Sequence, residues 1–445
     1  MRKFAFMLLA AVLMAFMLAA CAEAGETNYV LVPMQTEEIQ IAQTPDVSEP
    51  TPELTPEPTP EPTPEAYTAT LGFVGDILMM TRQISDAKTE TGYDFSQSFL
   101  PMKDVFESVD VMCADFEGTL AGEDAGYTQP RETEAPATEL NPNPTRPPMQ
   151  SFNAPDELAA NLFDAGIDLV TTANNHAMDR DDEGLFRTIR TLRAAGIKTV
   201  GTATDEEDYN TPCVFEVNGI KIGVVGATQV INSMAPSVNS ENRSFAVTML
   251  TEEMVKPQIT ACEDAGAEFI IIMVHWGYEY QNTQDSSQIK FADKLIEWGA
   301  DAIIGCHSHC VQPMEWRDGE RDGKTIRVPV VYSLGNFISN MSKEYTDIGA
   351  FARITITKDA SGVKCTELAC LPLYCCRALT ADGTHEAHRT LPCFDENGLT
   401  APETEADEST VRGMSRAYEH VKSVCVGERD DIHLIERSEI YAGEA

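Results

Sequence analysis

The sequence predicts an α/β fold with a buried sheet, and three observations predict it. Short apolar runs alternate with helix-length segments from Thr68 to about Thr380. Glycine follows the helical segments at the point where each must stop. Polar groups, including four of the eight histidines, fall just after apolar runs rather than within them. Repeated helix–strand alternation places helices on the faces of a largely parallel sheet. The chain from Tyr67 to residue 380 is long enough to form one large domain.

The elements follow in order. "TATLGFVGDI" is a strand ending in a turn, and "VDVMCA" is a second strand. "DELAANLFDAG" reads as a helix stopped by Gly166, and "IDLVTTANNH" as the strand after it. "DEGLFRTIRTLRAAG" sets Leu185, Ile189 and Leu192 on one stripe, with Gly196 as its stop. "GIKIGVVGAT", "MVKPQITACEDAG" and "AEFIIIMVHWG" give strand, helix and strand. "SQIKFADKLIEWG", "ADAIIGCHSH" and "RVPVVYSLGNF" complete the series. Residues 121–150 are polar and proline-rich, which predicts a long surface loop. Residues 381–445 read as an irregular acidic extension, with one helix expected at "VRGMSRAYEHVKSV".

The N-terminus carries different signals. Arg2 and Lys3 precede an unbroken apolar run to Ala20, and Leu18-Ala19-Ala20 leads into Cys21. Residues 1–21 therefore read as a secretory signal. The last four of them resemble a lipobox, in which the cysteine is lipidated and becomes the mature N-terminus. The expectation is an exported chain, lipid-anchored through Cys21 on the outer face of the cytoplasmic membrane. Residues 22–66 hold a Thr-Pro-Glu repeat with ten acids and no lysine or arginine. Such a segment favours extended conformations, repels itself and builds no core, so it reads as a disordered stalk.

The formal charge of the whole chain is −39. Setting aside the ten stalk acids and the two N-terminal cations, −31 remains on Tyr67 to Ala445. That balance excludes nucleic acid as a partner. A polyanionic substrate would have to be met through cations. Twelve cysteines in an exported protein point to some disulfides, with no connectivity legible.

The polar groups at strand ends are the functional candidates. Asp76 follows "GFVG"; Asp115 and Glu117 follow "VDVMCA"; Asn174, Asn175 and His176 follow "IDLVTTA". His275 follows "FIIIMV", and His307 and His309 follow "DAIIGC". In open α/β sheets ligands bind outside the carboxyl ends of the strands. Taken singly, each has a plainer reading: a turn at Gly75-Asp76, a helix cap at Asn174-Asn175, a buried hydrogen-bonded histidine at 275. "GCHSHC" alone fits a zinc knuckle, two half-disulfides or a corner of a hydrolytic metal centre. Alternate residues of an extended segment share a side, which favours His307 and His309 as a pair and turns Cys306 away from them.

Together and in this order, "GFVGDILM", "ADFEGTL", "FNAPDELAANLFDAGIDLVTTANNHAMD", "VHWGYEY", "GADAIIGCHSHCVQP" and "YSLGNF" resemble the CapA family of capsule and poly-γ-glutamate synthesis proteins. That family lies within the calcineurin-like metallophosphoesterase superfamily, and the resemblance covers most of residues 71–339. It implies a four-layer α/β/β/α sandwich holding two metals. The implied ligands are Asp76, a bridging Glu117, Asn175, His275, His307 and His309. His176 is implied as the proton donor, with Asp115, Asn174, Glu279 and Asn336 as the groups that orient the ligands. The chain departs from the pattern at Leu78, where many phosphoesterases have a histidine, and at Cys306 and Ser308, where histidine and proline are usual.

Such carboxylate, amide and imidazole ligation suits one or two divalent Mn, Fe or Zn ions rather than calcium. Two functions follow from the resemblance. One is a metal-dependent hydrolase acting on a small phosphoester or on an amide such as a γ-glutamyl bond. The other is a non-catalytic factor that uses bound metal to assemble or anchor an anionic capsular polymer, alongside membrane-bound synthesis partners. The intact Asn175-His176 pair favours the first, because a pure binder needs no proton donor beside its metals.

Overall fold

A computed structural model describes residues 66–128, 151–232, 244–321, 323–381, 383, 385–401 and 406–441. The expected signal segment with Cys21, the stalk up to residue 65 and residues 129–150 of the expected loop lie outside the described residues. Along the chain the strands are β1 (Tyr67–Ile77), β2 (Val111–Phe116), β3 (Leu169–Thr171), β4 (Lys198–Val200) and β5 (Cys213–Val217). They continue as β6 (Ile220–Thr228), β7 (Phe269–His275), β8 (Ala302–Cys306), β9 (Met314–Arg321) and β10 (Lys324–Val331). The last are β11 (Asn336–Ile338), β12 (Ile348–Asp359), β13 (Gly362–Leu379), β14 (Glu386–Pro392) and β15 (His433–Leu434).

They form two mixed sheets. The first runs β14-β13-β12-β1-β2-β3-β4, with β11 beside β1 and β15 beside β13; the second runs β5-β6-β7-β8-β10-β9. Each has a parallel core, β1 to β4 in the first and β6, β7, β8 and β10 in the second. Antiparallel strands extend both.

Period-two alternation with both faces buried explains the layering. In β7, Phe269, Ile271 and Met273 join the same core as Leu71 and Phe73 of β1, so this core lies between the sheets. The alternate residues Ile270, Ile272 and Val274 pack outward with Val255, Ile259 and Leu295 of the helices Glu252–Asp264 and Ser286–Trp298. On the other side, Val74, Met112, Ala114 and Val170 pack with Leu158 and Leu162 of the helix Glu157–Asp164. The layer order is helix, sheet, sheet, helix. Strands buried on both faces read as nearly continuous apolar runs.

The helix stops behave as glycine requires. Gly166, Gly196, Gly266 and Gly299 all take positive φ, a backbone region that side chains other than glycine seldom adopt.

The C-terminal region corrects its expectation. Instead of an irregular extension, it continues the first sheet and closes the core. β14 pairs antiparallel with β13, and β15 pairs with it in parallel. The helix Glu408–Val421, started by the Asp407 side chain accepting from the Thr410 N–H, buries Met414, Ala417 and Val421 in the inter-sheet core. These residues are spaced as one helical stripe, and the acids that dominate the composition face outward.

The expected disulfides are also absent among the described residues: the eleven cysteines there are free thiols, and all but Cys213 and Cys376 are buried. They pack as small apolar residues.

Candidate metal centre

The site lies where strand ends of the two sheets meet. β1 carries Asp76 to its tip. Just before it, a Cβ added to Gly75 would sit 1.8 Å from the Gly335 carbonyl oxygen. Glycine at 75 therefore lets β11 approach, and the Asp76 N–H donates to that carbonyl at 3.0 Å. β2 supplies Asp115, with Glu117 just beyond it. The segment after β3 supplies Asn174, Asn175 and His176. From the second sheet come His275, the last residue of β7, and His307 and His309, just past β8. All nine side chains are buried.

Three of them are fixed through their neighbours. His275 Nδ1 lies 2.8 Å from Asp115 Oδ2, and its Nε2 lies 2.7 Å from Asn175 Oδ1. Asn174 donates to Asp115 Oδ1 at 3.2 Å and to the Phe116 carbonyl at 2.7 Å. His309 Nδ1 lies 3.0 Å from Asn336 Oδ1 and 3.2 Å from Asp76 Oδ2. Asn336 in turn donates to the Thr346 carbonyl at 2.8 Å. Asp115, Asn174 and Asn336 thus stand where groups that aim ligands should stand. Glu279 does not. It is exposed and, among the described residues, makes no hydrogen bond to a site residue; only its charge reaches the cluster.

Glu117 is at the centre. Its carboxylate oxygens lie 3.8 Å from His176 Nε2, 3.9 Å from His275 Nε2 and 3.7 Å from His309 Nδ1. Among the described residues both oxygens are buried without a hydrogen-bond partner, as is His307 Nδ1. Orphaned buried polar atoms cost about 1–3 kcal/mol each in a native protein. Their ligand atoms fall into two compact groups that share Glu117: Glu117, His275 and His307, and Asp76, Glu117 and His309. With Asp115 ionised, the His275 proton sits on Nδ1, so Nε2 and Asn175 Oδ1 aim lone pairs at one point. The residues present therefore fit one or two divalent cations.

The electrostatics agree. Burial, and then the charges of Asp76 and Asp115, push the Glu117 carboxyl well above the usual range. Burial raises Asp115 to about 8, opposed by its Asn174 hydrogen bond. Burial also depresses His275 to about 3 and holds His307 well below the ordinary imidazole value. These histidines are neutral and available as ligands. Burial alone would lower His309 as well, but the Asp76 carboxylate raises it.

Two features escape sequence reasoning. Cys306 does not turn away, because its thiol groups with the carboxylates of Asp76 and Asp115. Strand alternation ends at Cys306: His307 and His309 take φ of 101° and 57°, so neighbouring side chains no longer oppose each other. The second is Asp179, three residues after His176, whose Oδ2 lies 2.7 Å from His176 Nδ1 and accepts from the Phe152 N–H at 2.6 Å. Phe152 also sets its ring against His176, centroids 4.4 Å apart. An acid three residues after a candidate histidine was the available signal.

A profile of the family described as "Bacterial capsule synthesis protein PGA_cap" matches residues 70–341. The chain is 24% identical over 298 residues to a capsule biosynthesis protein CapA of Bacillus anthracis, an alignment covering 66% of this chain and 65% of that one. It is 25% identical over 291 residues to a PGA biosynthesis protein CapA of Bacillus subtilis, covering 65% and 68%. The match thus spans just under two thirds of the first relative's length. Among solved structures, the calcineurin-like phosphoesterase YfkN of Bacillus subtilis is similar at 15% identity and a TM-score of 0.42, covering 80% of this chain and 98% of that one.

Proposed function

Given that the chain belongs to the PGA_cap family of bacterial capsule synthesis proteins, we propose that it is a metal-dependent hydrolase of capsule or poly-γ-glutamate synthesis. Its bond would be a phosphoester or an amide of γ-glutamyl type. It would act at the cell surface, tethered by lipid on Cys21, beside membrane-bound synthesis partners.

The observation that carries this reading is the placement of His176. Its Nε2 faces Glu117 Oε1 at 3.8 Å while Asp179 holds its Nδ1 at 2.7 Å. A histidine oriented by a carboxylate and aimed into a cluster of metal-ligand type is what proton transfer requires, and metal retention alone does not.

Asp76, Glu117 and His309 would hold one ion; Glu117, His275, His307 and Asn175 would hold the other. Divalent ions held there would supply Lewis-acid polarisation of an anionic oxygen and a more acidic water. The chain's own residues do the remainder. His176 delivers a proton to the leaving group from Nε2. Asp179 fixes the ring through Nδ1. Asn232 Nδ2 lies 3.3 Å from Nε2 and can donate to it while the ring is neutral. Asn336 and Asp115 keep His309 and His275 aimed.

The test uses the Mn²⁺-loaded protein with a generic phosphodiester and with γ-glutamyl oligomers. His176→Ala should lose turnover by about 10²–10⁴-fold while keeping its metal. His307→Ala should lose both. The relatives are named for biosynthesis, which favours a second reading, a metal-dependent assembly or anchoring factor without turnover. A silent His176→Ala beside a dead His307→Ala in polymer retention would decide for that second reading.

A further inference from the structure

A cation stands one aromatic ring away from this acidic centre. Lys343 places its ammonium 3.3 Å from the centroid of the Tyr280 ring. The Tyr280 ring in turn lies 5.7 Å from that of His309, centroid to centroid. The ammonium is thus one aromatic ring away from a candidate metal ligand. Lys343 is exposed and, among the described residues, in no ion pair. Its charge is free to meet a ligand.

Both members of the pair are built into the site. The Tyr280 N–H donates to the Ser308 carbonyl at 2.7 Å, between the two candidate ligand histidines. Tyr280 takes φ of 63°, a conformation that costs a bulky residue energy and persists only where its surroundings impose it. The Lys343 carbonyl accepts from the Thr346 N–H at 3.2 Å and from its hydroxyl at 2.7 Å. The Thr346 carbonyl receives the Asn336 amide that aims His309. A chain of hydrogen bonds therefore fixes the lysine backbone relative to the ligand shell.

We propose that Lys343, seated on Tyr280, is a subsite for an oxyanion of the substrate next to the group held at the metal centre. The ligand it would take carries, beside the group held at the metal centre, a second oxyanion, a carboxylate or a phosphate. This rests on the hydrolytic reading above for its location, but its test does not depend on turnover. A chain of net charge −39 repels anionic ligands, so an ammonium beside the ligand cluster favours approach there.

The experiment measures equilibrium binding by the full Mn²⁺-loaded chain at low ionic strength. The probes are a γ-linked glutamyl oligomer, its uncharged methyl ester and a short inorganic polyphosphate. Lys343→Met keeps the apolar stem over Tyr280 and should weaken binding of a charged oligomer about two- to fivefold, the range of an exposed charge contact. The ester should be unaffected, Lys343→Arg should restore affinity, and the difference should shrink at high salt. The arm that shows the loss identifies carboxylate or phosphate as the source.

Equal affinities for Lys343→Met and wild type, an equal loss on the ester, loss of Mn²⁺ in the variant, or a wild type that binds neither anion would each overturn the subsite. A wild type that turns over no substrate yet binds in a Lys343-dependent way would remove the hydrolytic reading and leave the subsite standing. Turnover with binding indifferent to Lys343 would do the reverse.

Discussion

Removing metal from this protein should make its stability fall as pH rises through the mildly alkaline range. Asp115 and Glu117 carry the effect, since burial raises both carboxyl pKa values, Asp115 from 3.8 to about 8. In the metal-free native state Asp115 is protonated near neutrality, whereas in the unfolded chain it is ionised. The native state then binds the extra proton, so stability is lost as pH climbs toward the native pKa. A group in that condition contributes a slope of about 1.4 kcal/mol per pH unit. Partial ionisation near pH 8 reduces the loss between pH 7 and 8 to about 1 kcal/mol for Asp115. Glu117 adds to it in the same direction, and His309, raised by Asp76, does so too. His275 and His307 have the opposite sign. Their depressed values remove stability as pH falls below the ordinary imidazole value of 6.5. Metal-free stability should therefore decline on the alkaline side, while below about pH 6.5 the two carboxyls and the two histidines act in opposite directions and largely cancel. Bound metal holds the carboxylates ionised and removes the alkaline decline. At 100 times its dissociation constant, it adds about 2.7 kcal/mol. Denaturation with chelator and with Mn²⁺, at pH 6, 7 and 8, reads this directly. Glu117→Gln should show a shallower metal-free decline and no stabilisation by metal. A metal-free midpoint that is constant or rises from pH 7 to 8 would refute the reasoning, as would full metal stabilisation in Glu117→Gln.

Three further outcomes follow from the geometry. Asn336→Ala should weaken metal binding by about 10–100-fold, read by titration with Mn²⁺, because His309 loses the group that aims it. Gly75→Ala should destabilise the protein by about 3 kcal/mol or more in chemical denaturation, since its Cβ would meet the Gly335 carbonyl at 1.8 Å and part β11 from β1. Truncation after residue 380 should give an aggregating or unfolded product by circular dichroism, because it strips β14 and the helix that buries Met414, Ala417 and Val421.

Most of the parallel framework was legible because its signals are local. The runs that became β1, β6, β7 and β8 are apolar and bounded, and those at β6 and β7 are followed by helices with glycine stops. The long antiparallel strands β12 and β13 were not read. Their inward residues, such as Ala352, Ile354 and Ile356, are interleaved with Arg353, Thr355 and Thr357, a half-buried pattern that needs the period-two test. The helix at 408–421 was expected, but its place in the core was not, because acidic composition hides a narrow apolar stripe. At the site, the residues at strand ends converge as their addresses suggested. Cys306 was misassigned because alternation holds only while the strand lasts, and the chain leaves extended geometry at His307. Glu279 was misassigned because proximity in sequence to His275 does not turn a side chain inward.

The candidate ligands come from both sheets: Asp76, Glu117 and Asn175 from the first, His275, His307 and His309 from the second. The contact between Asp76 and His309 closes a loop of 233 residues. Closing so long a loop is entropically costly, and nothing local brings these side chains together early. An ion that needs both sets cannot template either sheet while it forms. It would enter only once the sheets have docked, and its ligands would then come from both sides of the seam. Parting the sheets would then mean breaking those bonds, so a bound ion would act as a clasp across the seam and slow the separation of the two sheets.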